Sequence, residues 1–390
     1  MRDNTNKKAL TWLNLAHLAN DTYSGFLNPI MPFIAVKVGI SMAVATMVMS
    51  IAQVCGSMFQ PIFGFFADNM VKRVFIFWGL IFGSLFVPLA TNAPNAVILT
   101  FFVILGNLGG SFFHPQALGF ISRFSRGDFV SNMGIFITFG TVGYSLGPVI
   151  SALVTEHFGL DKIPYMSIVG IFIALAMFKS VPKISGMGVK VEHKYFKETF
   201  KEILTNKYML ILIMISIMKS LITNASVILL PFLWKSLGHS PTYIGVALFL
   251  FLLAGGFGSI LSGRFEGAIG AKKIFYISMI LTFPIMVLFV LTYRLHPMIS
   301  VAVFVLMGFT TMLAQPVMLV MAQRILPEYK SIVSGFINGF SWGIVAIFLT
   351  IIGFSAQAFG IAKVLLIVSV VPVMFAYFVK FLPQSEGLEA

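Results

Sequence analysis

One carboxylate set among apolar residues is the most chemically loaded position in the chain. His17, Asp21, Ser24 and Asn28 are spaced i, i+4, i+7 and i+11, which places them within roughly 60° of arc on one helix face. A carboxyl group that moves between wet and dry surroundings loads and releases a proton, and an imidazole one turn away shares that proton. A second polar stripe runs through Ser216, Lys219, Thr223 and Ser226. A buried ammonium there has three roles open to it: an ion pair with Asp21, a site for an anion, or a tether to backbone carbonyls. A third stripe is Asn107, Ser111 and His114, followed by Pro115, whose ring frees a nearby carbonyl. Tyr144, Gln315, Asn338 and Trp342 are further polar groups within apolar surroundings.

The elements that must hold these groups are set by composition. Of the 390 residues 58% are hydrophobic and 10% charged, against about 45–50% and about 25% in soluble domains. A soluble enzyme, a nucleic-acid binder and a secreted domain are thereby excluded. A single cysteine, Cys55, leaves no internal disulfide framework and no Cys-based zinc site. No phosphate-binding loop ending in Lys-Ser/Thr occurs, nor HExxH, nor a two-carboxylate pair, so neither ATP-driven work nor enzyme catalysis has a site, and no cofactor is expected.

A helix needs about 20 mainly apolar residues to cross hydrocarbon. Twelve such runs are expected, over roughly 10–36, 41–68, 74–92, 95–122, 129–155, 163–180, 208–234, 241–265, 274–293, 297–323, 331–356 and 360–381. They are too long and continuous for barrel strands. Twenty of the 26 Lys and Arg residues fall on the side of the amino terminus. Five (Lys37, Lys162, Lys235, Arg294 and Lys363) fall on the other, and Lys219 lies inside a span. That bias predicts cytoplasmic termini, so the net charge of +13 is topological and does not call for nucleic acid.

The longest polar stretch divides the chain into a six-span bundle over 1–180, a linker over 181–207 and a second bundle over 208–390. The halves repeat. Pro32-Phe33 returns as Pro231-Phe232, His114-Pro115 as Gln315-Pro316, and Gly134-Ile135-Phe136-Ile137 resembles Gly335-Phe336-Ile337. Gly64, Asp68 and Lys72-Arg73 return as Gly263, Glu266 and Lys272-Lys273. Two six-helix repeats related by an axis along the membrane normal place a solute site near mid-membrane, with Lys219 expected to approach it opposite Asp21.

The segment Gly64-Phe-Phe-Ala-Asp68-Asn-Met-Val-Lys72-Arg73 resembles the loop signature of the major facilitator superfamily. Gly143-Tyr-Ser-Leu-Gly147-Pro148 resembles the Gly-Pro signature of its drug/proton antiporters, with Ser151 where a closing glycine is common. Asn20-Asp21, Gln60-Pro61 and Phe113-His114-Pro115-Gln-Ala117 are similar to the fosmidomycin-resistance branch. The resemblance implies an all-α, polytopic, twelve-helix major facilitator fold in a bacterial inner membrane, and a gating role for Gly64, Asp68, Lys72, Arg73, Gly263, Glu266, Lys272, Gly143, Gly147 and Pro148. Gly64 and Gly263 permit close helix contact.

The reading that follows is a monomeric, proton-coupled exporter of a small organic solute, anionic or zwitterionic, working by alternating access. Asp21, His114 and His17 exchange the proton. Lys219, Gln315, Tyr144, Asn28, Asn107, Thr223, Asn338 and Trp342 are the solute-binding candidates. No resident metal is expected. One alternative makes His17, Asp21 and His114 ligands of a divalent metal ion or chelate carried as cargo. Another, of a different class, is a membrane sensor or scaffold that transports nothing.

Overall fold

The computed structural model describes residues 6–60, 62–63, 74–125, 129–182, 193–327 and 330–383. Their regular structure is helical: α1 Lys7–Gly25, α2 Leu27–Val38, α3 Met42–Met58, α4 Val74–Leu89, α5 Ala96–Phe124, α6 Phe129–Phe158, α7 Ser167–Ser180, α8 His193–Thr205, α9 Lys207–Ser236, α10 Pro241–Ile269, α11 Ala271–Ile280, α12 Thr282–Thr292, α13 Pro297–Met312, α14 Gln315–Ile325, α15 Lys330–Gly335, α16 Ser341–Phe359 and α17 Ile361–Ala376. A π-helical turn, Phe336–Phe340, joins α15 to α16.

The helices start where polar side chains satisfy their free N–H groups. Asn6 Oδ1 accepts from Ala9 N at 3.1 Å, Asn95 Oδ1 from Ile98 N at 3.0 Å, and Asn206 Oδ1 from Tyr208 N and Met209 N. Among the described residues, ten helical stretches are long and apolar enough to cross a bilayer, and Leu27–Val38 and Met42–Met58 are shorter apolar helices. The outward faces match that setting. Ile260 is 77% exposed and Phe172 66%, side chains that a helix shows to lipid rather than to water.

Two compact units divide the chain. The first comprises Met1–Ser41, Ile51–Val191 and Gly238–Phe249, and the second comprises Met42–Ser50, Glu192–Leu237 and Leu250–Ala390. The opening turns of α3 and α10 thus group apart from their own halves of the sequence.

The backbone carries the internal repeat. Gly39 (φ 75°) ends α2, and Gly238 (φ 83°), 199 residues on, occupies the same left-handed region. Gly159 (φ 87°) and Gly360 (φ 94°), 201 apart, repeat the pattern. A side chain would strain these backbones, so glycine serves at each. The caps repeat too. In the first unit Thr242 N donates to Glu156 Oε2 at 2.8 Å; in the second Ala43 N donates to Gln357 Oε1 at 2.9 Å. A carboxylate in one repeat and an amide in the other thus satisfy the free N–H at the start of a helix. Elsewhere in the first unit Lys37 pairs with Asp161 and also donates to the Thr91 carbonyl at 3.1 Å.

The first membrane run is broken at Phe26, between α1 and α2. Ser151 Oγ on α6 donates to the Phe26 carbonyl at 2.8 Å, satisfying a buried acceptor at the break. Ser151→Ala is expected to cost about 1 kcal/mol, read as a lower melting temperature of the detergent-solubilised protein.

Candidate functional site

In the first unit the polar stripe of α1 meets α5 and α6. His17 Nδ1–H donates to the Phe136 carbonyl on α6 at 2.8 Å. The ring is stacked on Phe136, centroids 3.9 Å apart, and lies against Phe113 at 5.8 Å. These contacts fix its orientation and turn Nε2 toward Asp21 Oδ2, 3.2 Å away. The other carboxylate oxygen, Oδ1, accepts from Asn20 Nδ2 at 2.9 Å and faces His114 Nε2 at 3.5 Å. One carboxylate therefore lies between two imidazoles. Its side chain is 16% exposed, with His17 at 9% and His114 at 28%. The cluster is mostly enclosed, and His114 is its most open member.

Glycines make this approach possible. A Cβ on Gly143 would fall 2.2 Å from the Leu18 carbonyl, and one on Gly147 2.3 Å from that of Thr22. On Gly140 it would fall 2.4 Å from His17 Cε1 and 2.8 Å from Asp21 Oδ2. Gly140, Gly143 and Gly147 lie on one face of α6, so its backbone rests directly on α1. At Gly143 and Gly147 the close neighbour is the helix that bears Asp21.

The second unit holds a neutral counterpart. Ser216, 199 residues after His17, donates through Oγ to the Ile337 carbonyl at 3.1 Å; Ile337 lies 201 residues after Phe136. The hydrogen bond to α6's counterpart is retained, while the titratable ring is replaced by a hydroxyl. Asp21 corresponds to Ser220, and His114 to Gln315. Gln315 Nε2 donates to Asn338 Oδ1 at 2.8 Å, and Asn338 sits in the π turn, a distortion frequent at functional sites. Lys219 is 3% exposed. Its Nζ donates to the Thr311 carbonyl at 2.7 Å, which Ser278 Oγ also reaches at 3.2 Å. Of the three roles open to this lysine, the backbone tether is formed.

The other predicted residues divide. Asn28 is buried and interacts with Tyr144, Thr223 is buried, and Trp342 is half-buried. Asn107 Nδ2 turns back on its own helix, donating to the Val103 carbonyl at 2.9 Å. Ser111 Oγ donates to the Cys55 carbonyl at 2.7 Å. Gly64, Asp68, Lys72 and Arg73 lie outside the described residues. Gly263 is exposed, and a Cβ there would meet nothing within 4 Å among the described residues. Glu266 faces Arg324 at 3.5 Å, and Lys272 Nζ donates to the Lys380 carbonyl at 3.2 Å.

Asn20, Gly140, Arg324 and the Phe136 carbonyl were not singled out as site groups from sequence. The spacing of Gly140 to Gly143 and Gly147 was a readable signal. Nothing in the sequence points to one particular backbone carbonyl.

The comparisons with known proteins agree with this architecture. The family model described as Major Facilitator Superfamily matches residues 13–350, and again residues 216–387. The chain belongs to this superfamily. It is therefore an integral, multi-pass membrane transporter of small-molecule solutes and not an enzyme. It is 24% identical over 379 residues to the fosmidomycin resistance protein of Escherichia coli (strain K12), covering 96% of this chain and 92% of that one. Among solved structures it resembles the nucleoside transporter NupG, with a TM-score of 0.76 at 13% identity over 96% of this chain and 98% of that one. It also resembles a bacterial homolog of the human lysosomal transporter Spinster, with a TM-score of 0.77 at 13% identity over 95% of each. At these identities the structural likeness concerns the fold.

Proposed function

We propose that this transporter is a proton-coupled exporter of a small organic solute, operating by alternating access, and that the coupling proton resides on the His17–Asp21–His114 cluster. One observation carries the reading. A carbonyl oxygen only accepts, so the His17 Nδ1 that meets the Phe136 carbonyl bears a hydrogen. In the neutral ring Nε2 then points a bare lone pair at a carboxylate oxygen 3.2 Å away. Two acceptors at that range repel unless a proton lies between them. The pair is thus built to hold one, and His114 offers a second base and the more exposed exit. The neutral counterpart at Ser216, Ser220 and Gln315 confines coupling to the first repeat.

Solute recognition is assigned to Asn28, Asn107 and Tyr144 in the first unit, and to Lys219, Thr223, Gln315, Asn338 and Trp342 in the second. An ammonium has three N–H donors, and one of those on Lys219 is engaged by Thr311; the remainder suit an anionic or zwitterionic solute. Gly143, Gly147 and Pro148 form the packed seam on α1. Gly263 and Glu266 near the end of α10 and Lys272 at the start of α11 are assigned to the cytoplasmic gate that parts and re-forms during the cycle. The twelve-span count, the cytoplasmic termini, the division at 181–207, the inner-membrane location and action as a monomer complete the proposal. The relative named for fosmidomycin resistance favours efflux and supplies a probe.

The test is transport of fosmidomycin by the purified protein in proteoliposomes under an imposed pH gradient. Proton-coupled export gives accumulation that follows the gradient's sign and collapses with a protonophore. Flux that ignores the gradient would refute the coupling.

A further inference from the structure

The same cluster has the composition of a metal site. Nitrogen and oxygen donors from His17, Asp21 and His114 all lie within 4.8 Å of one another. Around a tetrahedral ion bonded at about 2.0–2.1 Å, ligand atoms stand about 3.3 Å apart. His17 Nε2 stands 3.2 Å from Asp21 Oδ2, and His114 Nε2 3.5 Å from Asp21 Oδ1, spacings close to that value at each carboxylate oxygen.

The surroundings are those that a ligand set requires. His17 donates its other ring nitrogen to the Phe136 carbonyl, the outer bond that fixes the tautomer of a metal-bound imidazole and leaves Nε2 free to coordinate. Stacking on Phe136 holds the ring in place. Asn20 Nδ2 steadies the carboxylate from the side. Gly140 lets the α6 backbone come this close to the donors, since a Cβ there would fall 2.5 Å from His17 Nε2 and 2.8 Å from Asp21 Oδ2. Two imidazoles and one carboxylate make a donor set suited to zinc-class ions rather than to magnesium or calcium, which take oxygen ligands. Three protein ligands leave a fourth position for water or a solute group.

We infer that His17 Nε2, His114 Nε2 and the carboxylate of Asp21 form a binding site for a divalent transition-metal ion of the zinc class, and that the bound ion inhibits transport. The inference deepens the proton-coupled reading because both use the same carboxylate: an ion seated there withholds it from coupling. The second repeat has no equivalent donors, since Ser216, Ser220 and Gln315 occupy those places, so a single site per chain is expected.

The experiment is calorimetric titration of the purified transporter with zinc chloride alone, with magnesium chloride as comparison, for the wild type, His114→Ala and Asp21→Asn. Saturable zinc binding at one site is expected, weakened at least tenfold in His114→Ala and lost in Asp21→Asn, with magnesium giving no heat. Equal binding in all three proteins, or none in the wild type, would overturn the site. X-ray absorption on the zinc-loaded wild type gives a reading independent of variant folding: imidazole scattering at about 2.0–2.1 Å supports it, and an all-oxygen shell refutes it. Zinc that crosses the vesicle membrane with the same residue dependence would overturn inhibition and make the ion cargo. Failure of zinc to bind leaves gradient-driven transport unaffected, and failure of gradient coupling leaves zinc binding measurable, so the two readings fall separately.

Discussion

Asp21→Asn is expected to abolish solute accumulation driven by a pH gradient while leaving solute exchange at equal concentrations intact. The substitution keeps the size of the side chain and its capacity to accept from Asn20 Nδ2, but removes the group that takes up and gives off the proton. One pH unit is worth about 1.4 kcal/mol per proton, a factor of ten in solute ratio. Wild-type vesicles with a one-unit gradient and one proton per solute should therefore approach about tenfold accumulation, and the variant none. Exchange needs only that solute bind on either side and that the carrier alternate with solute bound, a half-cycle that moves no net proton in this account. A variant that still accumulated solute against its gradient would place the coupling elsewhere.

Gly143→Ala is expected to be among the most destabilising single methyl additions in the protein. The new Cβ would fall 2.2 Å from the Leu18 carbonyl oxygen and 3.0 Å from Leu18 Cα. Those are backbone atoms of α1, which cannot rotate aside as a side chain would. Either α1 and α6 separate or the helix bends, at a cost of about 3 kcal/mol or more. Separation of these helices also draws Phe136 off His17, so the variant should lose coupling along with stability. Gly134→Ala is the matched control on the same helix. A Cβ there meets nothing within 4 Å, and removal of a helical glycine should stabilise by about 0.5–1 kcal/mol. Melting temperatures of the two variants in one detergent should move in opposite directions. A similar small shift for both would mean that the α1–α6 seam is not closely packed.

The residues differ in how far sequence alone placed them. Asp21 and His17 were readable because they share a helix: at 3.6 residues per turn, a spacing of four brings them together whatever the rest of the fold does. His114 sits on another helix. Its polar stripe and motif singled it out, but its approach to Asp21 depends on how α1 packs against α5. The partner carbonyl of His17 was out of reach, because a backbone acceptor carries no residue-type signal. It becomes available only where α6 lies directly on α1, and that closeness depends on Gly140 and Gly143. Lys219 shows the converse. Its type and burial were plain from sequence, whereas its bond to Thr311 follows from the neighbouring helix α13. At Gly263 glycine permits close contact but does not create it: among the described residues a Cβ there would meet nothing within 4 Å. The internal repeat was visible as dipeptides and is clearer in the backbone, where Gly39 and Gly238 share a left-handed conformation.

The most direct test of the account counts protons at the moment of solute binding. Purified transporter in weakly buffered detergent is mixed with saturating fosmidomycin, and the pH change is followed for the wild type and for Asp21→Asn. Proton release by the wild type, with none from the variant at equal solute occupancy, is the predicted result. Equal release from both proteins would contradict the placement of the coupling proton on the carboxylate between His17 and His114.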